Sequence, residues 1–514
     1  MTTPGTPGLP SSLPSGLPSG LLDGTVDGVL RATARRTPDR LALHYRDRSW
    51  TYAELDAAVS TAAAHLRTDR RLDEGDRVAT YGHNSDAYLI TYLACARAGL
   101  IHVPVNQNLT GDDLTYILGQ SGSSLVLADP DLADRVPGGF AVLPLRDAPD
   151  SLLEVLTTPV PYASDHDPLA PVQLLYTSGT TADPKGAIMT HRALVHEYAS
   201  AIEALDLTEA DRPVHALPLY HSAQMHVFLL PYLAVGAENT LLDGPAAGAL
   251  FDLVEAGRAD SFFAPPTVWI SIANHPDFGT RSLEGLRKAF YGASIMPVPV
   301  LERLRARLPA LAFYNCFGQS EIGPLATVLR PEEHEGRMDS CGRPVRHVEA
   351  RVVDEKGTEV PDGTAGEIAY RSPQLCLGYW GMDDSGLFTD GWFRSGDLAV
   401  RDAEGYFTIV DRVKDVINSG GVLVASRQVE DALYTHPSVA EAAVIGLPDE
   451  RWIEAVTAVV VPRDTDLTEN QLLAYAREKL AHFKAPKRIV FVDELPRNAS
   501  GKILKRELRD RFST

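Results

Sequence analysis

Tyr176-Thr177-Ser178-Gly179-Thr180-Thr181-Ala182-Asp183-Pro184-Lys185-Gly186 follows directly on the apolar pair Leu174-Leu175. A short apolar run that breaks into hydroxyls, glycine and one lysine reads as a strand ending in a loop that can hold a polyphosphate. The hydroxyls of Thr177, Ser178, Thr180 and Thr181 and the backbone N–H groups freed at Gly179 can donate to phosphate oxygens, and Lys185 adds fixed positive charge. The mononucleotide loop that opens a helix needs Gly-Lys-Ser/Thr after four spacers. Here Pro184 precedes the lysine and Gly186 follows it, so no such helix is expected. An ordinary Ser/Thr-rich surface turn is the plain alternative, and eleven residues in this order argue against it.

Outward from this loop the chain alternates short apolar runs with helical stretches. Thr51-Tyr52-Ala53-Glu54 is a capping-box pattern opening an alanine-rich helix. Arg77 to Thr80, Ile101 to Pro104 and Ser124 to Ala128 read as strands, and a second cycle runs through Arg192 to Leu205, Val214 to Leu217 and Thr240 to Leu242. That is the texture of strands joined by crossover helices. From Ala350 to Asp411 it changes to short strands broken by turns, which suits a small, mainly antiparallel subdomain. About a hundred further residues carry their own strand and helix cycle, so a boundary is placed at Arg412 to Asp415.

The bulk properties narrow the function. A chain of 514 residues holds several domain-sized units and needs no disulfides to stabilise them. The four cysteines, Cys95, Cys316, Cys341 and Cys376, show no CxxC pair and read as small buried residues of a reducing compartment. A net charge of -20 argues against nucleic acid or an anionic membrane as partner. The Pro/Gly/Ser-rich residues 1–22 lack the basic start and apolar core of a targeting peptide and read as a flexible tail. The longest apolar candidate, Ile90 to Val105, is interrupted by Arg97, Gly99 and His102 and is no membrane span. A cytoplasmic location is expected.

Four segments together resemble the adenylate-forming superfamily of acyl-CoA and aryl-CoA synthetases, adenylation domains and beetle luciferases, over roughly residues 25 to 510. They are the loop above, Asn315-Cys316-Phe317-Gly318-Gln319-Ser320-Glu321, Gly396-Asp397-Leu398 with Asp411-Arg412-Val413-Lys414-Asp415, and Pro496-Arg497-Asn498-Ala499-Ser500-Gly501-Lys502. The resemblance implies an α/β fold: a large N-terminal domain (23–412) of two α/β subdomains and a small β-rich one, then a mobile α+β lid (413–514) turning about Lys414. It further implies ATP, Mg²⁺ and CoA as cofactors, with a small carboxylic acid as partner; a homodimer is compatible with it.

Residue by residue, the resemblance puts Thr177, Ser178, Gly179, Thr180, Thr181 and Lys185 on the β- and γ-phosphates. Glu321 holds Mg²⁺, Ser320 and Phe317 lie near the nucleotide, and Gly292-Ala293-Ser294 lies on the adenine side. Asp397 and Arg412 take the ribose, since each carboxylate oxygen can accept one hydroxyl of a vicinal diol. Lys502 neutralises the attacking carboxylate and α-phosphate, where a compact ammonium serves better than a guanidinium. Ser419-Gly420-Gly421 leaves room for a pantetheine arm. Lys505, Arg506 and Arg509 read as a solvated basic run.

Leu217 to Ser222 resembles the stretch lining an acid pocket, with His221, Ser222, Met225 and Gly318 as its candidates, although a packed, hydrogen-bonded histidine is an equal reading of His221. No aspartate stands there to pair with an ammonium group, and Met225, Val227 and Phe228 are apolar, so a hydrophobic acid is favoured over an amino acid. Three departures from the family pattern bear on rate and thiol choice. Ala182 occupies a position often glycine, where a methyl group at positive φ adds roughly 1 kcal/mol of strain. Val422 to Ser426 replaces a differently patterned stretch, and Ile453 follows Trp452 where glycine is common. The leading expectation is an acyl-CoA ligase working through an acyl-adenylate. The alternatives are an enzyme that mainly thioesterifies a supplied adenylate, one that loads a carrier protein, or a nucleotide-binding regulator without catalysis.

Overall fold

The computed structural model describes residues 21, 24–177, 183–294, 296–383, 388–420, 422–449, 451–463, 466–497 and 503–513. Four sheets carry the chain. The six-stranded sheet runs in the order Val142–Pro144, Ser123–Ala128, Arg77–Tyr81, Ile101–Val105, Pro171–Thr177, Lys185–Thr190. It is parallel until its last pair, an antiparallel hairpin that matches Thr177 with Lys185. The quoted loop therefore joins two strands and opens no helix, as Pro184 requires; Ser178, Gly179, Thr180, Thr181 and Ala182 lie outside the described residues.

The nine-stranded sheet places Ala312–Gly318, Lys288–Gly292, Ser261–Ala264, Pro213–His215, Asn239–Leu241 and Leu41–Tyr45 side by side and parallel, with antiparallel strands at both edges. Parallel strands need both faces covered, and the helices provide that cover. Helix Asp86–Ala98 is buried along all thirteen residues, the apolar-all-round pattern of a helix inside a core. The apolar run from Ile90 thus becomes the end of this helix and the buried strand Ile101–Val105. No helix among the described residues is long and apolar enough to cross a membrane. The capping box holds: Glu54 N–H donates to Thr51 Oγ1 at 3.2 Å and Thr51 N–H to Glu54 Oε2 at 2.8 Å, opening helix Tyr52–Ala64. All four cysteines are buried.

A third, antiparallel sheet comprises Glu349–Val353, Ala365–Arg371, Trp392–Arg401, Phe388–Thr389 and Phe407–Arg412. The fourth begins five residues later with Ile417–Ser419 and Val422–Val424, adds the long hairpin Val439–Asp449 with Ile453–Pro462, and ends with Arg488–Phe491. Helices Ser426–Tyr434, Glu469–Lys479 and Lys505–Phe512 accompany it. The mixed α/β architecture expected from the sequence is what the chain adopts.

The basic run at the end of the chain departs from expectation. Lys505 Nζ lies 2.8 Å from Glu430 and donates to Ser426 Oγ at 2.6 Å, and Arg509 pairs with Asp415 at 2.5 Å. Burial would lower the Lys505 pKa, but the charges of Glu430 and Asp411 raise it instead. These two side chains stitch the last helix to the segment after Arg412, and Arg506 alone of the three is exposed. A basic run does not show which of its members has a distant carboxylate.

Candidate active site

In open α/β sheets, ligands collect beyond the carboxyl ends of the strands. Three parallel strands of the nine-stranded sheet end at His215, Gly292 and Gly318, with Ser261–Ala264 between the first and the second, and the candidate segments 217–222, 293–294 and 319–321 are the chain that follows each. Sheet geometry thus gathers residues more than a hundred positions apart.

Ser320–Ile322 forms a single 3₁₀ turn, and Glu321 is 8% exposed. One of its oxygens, Oε1, accepts from Thr177 Oγ1 at 3.0 Å and from the Tyr379 hydroxyl at 3.1 Å. Lys185 Nζ lies 5.3 Å from the centre of the Tyr379 ring and forms no ion pair among the described residues. Tyr379 is held by backbone. Ile188 N–H donates to Gly378 O at 2.9 Å and Trp380 N–H to Gly186 O at 2.8 Å, which lays residues 377–380 along strand Lys185–Thr190. Cys376 N–H then donates to Glu321 O at 2.8 Å.

Beneath this turn lies a polar pair that the sequence did not advertise. Glu197, fully buried on helix His191–Ala204, accepts from Leu325 N–H at 3.1 Å and from Gln374 Nε2 at 2.6 Å. Gln374 Nε2 also reaches Ile322 O at 3.2 Å and Leu325 O at 3.1 Å, and its Oε1 accepts from Ser200 Oγ at 2.6 Å. Burial pushes the Glu197 carboxyl well above the usual range, against the lowering effect of its bond from Leu325. Buried polar groups that are fully bonded rigidify what they touch, and this network touches the turn carrying Glu321 from two sides. Its members are 177 residues apart, so nothing local in the sequence hinted at it.

On the pocket side, Ser222 Oγ and Ser320 Oγ lie 2.9 Å apart, tying the two loops together. Met225 is buried, and Phe317 is half-buried at the strand end. The His221 ring lies 4.6 Å from Tyr220, its Nε2 has no hydrogen-bond partner among the described residues, and burial lowers its pKa to about 4. The packed, hydrogen-bonded histidine is therefore not what forms at this ring nitrogen. A Cβ on Gly292 would lie 2.1 Å from Cys316 O, and one on Gly318 2.0 Å from Pro324 O. Backbone packing within the sheet thus requires both glycines, whatever a ligand demands. Ala293 adopts φ 63°, a left-handed angle its methyl disfavours, and Ser294 is exposed.

Asp397 and Arg412 form a separate pair on the antiparallel sheet. They face each other across the ladder, with Arg412 Nε 2.5 Å from Asp397 Oδ1. Gly396, at φ 75°, presents its N–H to Glu367 Oε1 at 2.8 Å, and Asp397 N–H donates to Ser395 Oγ at 3.0 Å. Next along the chain, Asp411 Oδ2 accepts from Ser426 N–H at 2.6 Å and Ser426 Oγ at 2.8 Å, while Lys414 is exposed. Ser419 is buried and Gly420 exposed. Lys502 and Gly421 lie outside the described residues.

The arrangement offers a cation, a buried carboxylate and hydroxyls at strand ends, with a carboxylate–guanidinium pair on the neighbouring sheet. Among the described residues Glu321 accepts hydrogen bonds at Oε1 alone, and its second oxygen suits a hard cation that otherwise keeps water and phosphate ligands. Comparison with known proteins follows the same line. The family model described as "AMP-binding enzyme" matches residues 30–380, and that described as "AMP-binding enzyme C-terminal domain" matches residues 428–502. A feruloyl-CoA synthase of Amycolatopsis sp is 38% identical over 488 residues, 93% of this chain and 97% of that protein. The fatty acid–[acyl-carrier-protein] ligase ScoC of Streptomyces coeruleorubidus is 34% identical over 503 residues, 93% of this chain and 95% of its own. The crystal structure of ATP-bound MatB from Rhodopseudomonas palustris superposes with a TM-score of 0.87 at 29% identity, covering 95% of this chain and 99% of that one.

Proposed function

The chain belongs to the AMP-binding enzyme family, and from that premise we propose that it is an ATP-dependent acid–thiol ligase that activates a hydrophobic carboxylic acid as its acyl-adenylate and transfers the acyl group to CoA. The observation that carries this reading is the meeting of Thr177, Lys185 and Glu321 around Tyr379, at the carboxyl edge of the parallel strands.

Bringing a carboxylate onto a triphosphate sets anion against anion, and cancelling that repulsion is the main catalytic task. In this proposal Lys185, Thr177 and the loop residues Ser178 to Thr181 hold the departing pyrophosphate. Ser320 donates near the α-phosphate and Lys502 neutralises the attacking carboxylate. Asp397 accepts both ribose hydroxyls with Arg412 beside it, and Gly292 to Ser294 with Phe317 border the base. Glu321 would hold Mg²⁺, which when bound offsets phosphate charge. His221, Ser222, Met225 and Gly318 border the acid; the neutral His221 ring adds no charge to oppose an apolar tail. Residues 413–514 act as a lid that turns at Lys414, withdraws Lys502 and brings Ser419 to Gly421 against the adenylate for thiol entry.

Acid-dependent pyrophosphate exchange over a panel of apolar acids, followed by thioester formation with CoA, tests the reading. Exchange with no acid, together with thioester formation from supplied acyl-AMP, would replace it by an enzyme of the second half-reaction alone. Transfer to a pantetheinylated carrier protein but not to CoA would replace the acceptor, the reading that similarity to ScoC supports.

A further inference from the structure

Ile453 adopts φ 65°, in the left-handed region. A β-branched residue there is crowded against its own backbone and persists only where surrounding structure imposes the angle. The other described non-glycine residues with positive φ are Arg46, Arg71, Asp147, Asp150, Asp206, Ala293 and Asp390, and none is β-branched. Packing does not explain the choice, because Ile453 is 58% exposed. What imposes the angle is the turn before it. Asp449 Oδ1 accepts from Arg451 N–H at 2.8 Å and Trp452 N–H at 2.9 Å, and Gly420 N–H donates to Trp452 O at 2.5 Å.

Ile453 pairs across the ladder with Ser419, and Ser419 pairs on its other side with Val422. Ser419 is 3% exposed and its hydroxyl has no hydrogen-bond partner among the described residues. Val422 and the next residue, Leu423, are exposed like Ile453. An unsatisfied buried hydroxyl flanked by solvent-facing apolar side chains is costly to the isolated protein on both counts. It suits a ligand that alternates amide and branched-hydrocarbon groups. A pantetheine arm has that chemistry: two amides and a dimethyl-substituted carbon.

We propose that Ile453 is a specificity-determining residue of the thiol step: with Val422, which shares its face of the sheet, it forms an apolar rim for the dimethyl portion of a pantetheine arm, while Ser419 Oγ bonds an amide of the same arm. The inference rests on the reading that the thiol enters along Ser419 to Gly421. The strain at Ile453 is then retained for binding, as functional sites often retain it at the expense of stability.

The test compares Ile453→Gly and Ser419→Ala with the unaltered enzyme, using supplied acyl-adenylate and three acceptors: CoA, pantetheine and N-acetylcysteamine, which lacks the dimethyl group. Ile453→Gly is expected to raise KM for CoA and pantetheine about tenfold. It should leave KM for N-acetylcysteamine and the rate of pyrophosphate exchange unchanged, and raise the melting temperature. Ser419→Ala should raise KM for CoA and pantetheine as well. Equal KM changes for all three acceptors, no change for any, or a fall in melting temperature with Ile453→Gly would overturn the inference. A pantetheinylated carrier protein should show the same loss as CoA; a loss confined to CoA would place Ile453 against its nucleotide end and also overturn it. Gly420→Val separates the underlying reading. If it too leaves thiol transfer intact, the route is wrong and not merely the role of Ile453.

Discussion

The turn carrying Glu321 and the turn carrying Gly420 stand at the ends of strands in different sheets, and they are built by opposite means. The first is buried, braced by Glu197 and Gln374 beneath it and by Thr177 and Tyr379 above it. The second is bordered by exposed Val422, Leu423 and Ile453, with an unbonded hydroxyl and a backbone angle its side chain resists. Local stability varies across a structure, and elements that receive or release a partner are drawn from its less stable end. The difference teaches that fixed charge needs a rigid mount, whereas a transient acceptor is met by a surface that is satisfied only when occupied.

Acid should separate the two regions most strongly. His102, His226 and His215 are buried in the N-terminal half and held neutral by burial, at about 3, about 3 and about 4 against an ordinary 6.5. The unfolded chain binds more protons than the fold below pH 6.5, so stability falls as pH drops from 6.5 toward 4, by up to about 1.4 kcal/mol per pH unit for each histidine. Thermal unfolding across this window should show that slope. A flat profile would remove the buried histidines from the account.

Lys502→Ala comes next. It should lower pyrophosphate exchange on the order of 10³-fold while thiol transfer from supplied acyl-AMP changes far less. Equal losses would erase the division between the two turns. Glu197→Ala should cost about 2 to 4 kcal/mol in denaturant unfolding, because it empties a buried site, leaves Leu325 N–H unpaired and takes one partner from Gln374.

The large effects fall on residues of unequal legibility. The hairpin around Thr177 and Lys185 could be read locally, since an apolar run that breaks into hydroxyls announces where a strand stops. The sheet order that gathers 217–222, 293–294 and 319–321 could not, because strand neighbours are set by crossovers rather than by proximity in the chain. Glu197 and Gln374 stayed hidden for the same reason. Gly292 stood in the sequence only as an adenine-side position; that a Cβ there would meet Cys316 O of the adjoining strand could not be read before the strand order was known. At Ala293 the left-handed angle carries no signature, because the residue that normally betrays it is glycine, and at Ile453 the one signal was the glycine common at that position in the family pattern.

Two smaller changes sharpen the contrast. Tyr379→Phe keeps the ring under Lys185 but deletes one bond to Glu321, and pyrophosphate exchange should fall about tenfold or less, with a raised Mg²⁺ requirement. Leu423→Ser, at a side chain 68% exposed, should shift unfolding by no more than about 0.5 kcal/mol. A larger shift would mean that this side chain already has a partner within the chain.

The placement of Tyr379 has one more consequence. Its ring lies beside the ammonium of Lys185 while its hydroxyl is bonded to Glu321, so a spacer occupies ground where opposite charges attract. Were cation and anion to collapse together, each arriving nucleotide would first have to prise them apart. Tyr379 instead touches both, and the ammonium of Lys185 makes no ion pair among the described residues until a guest claims it.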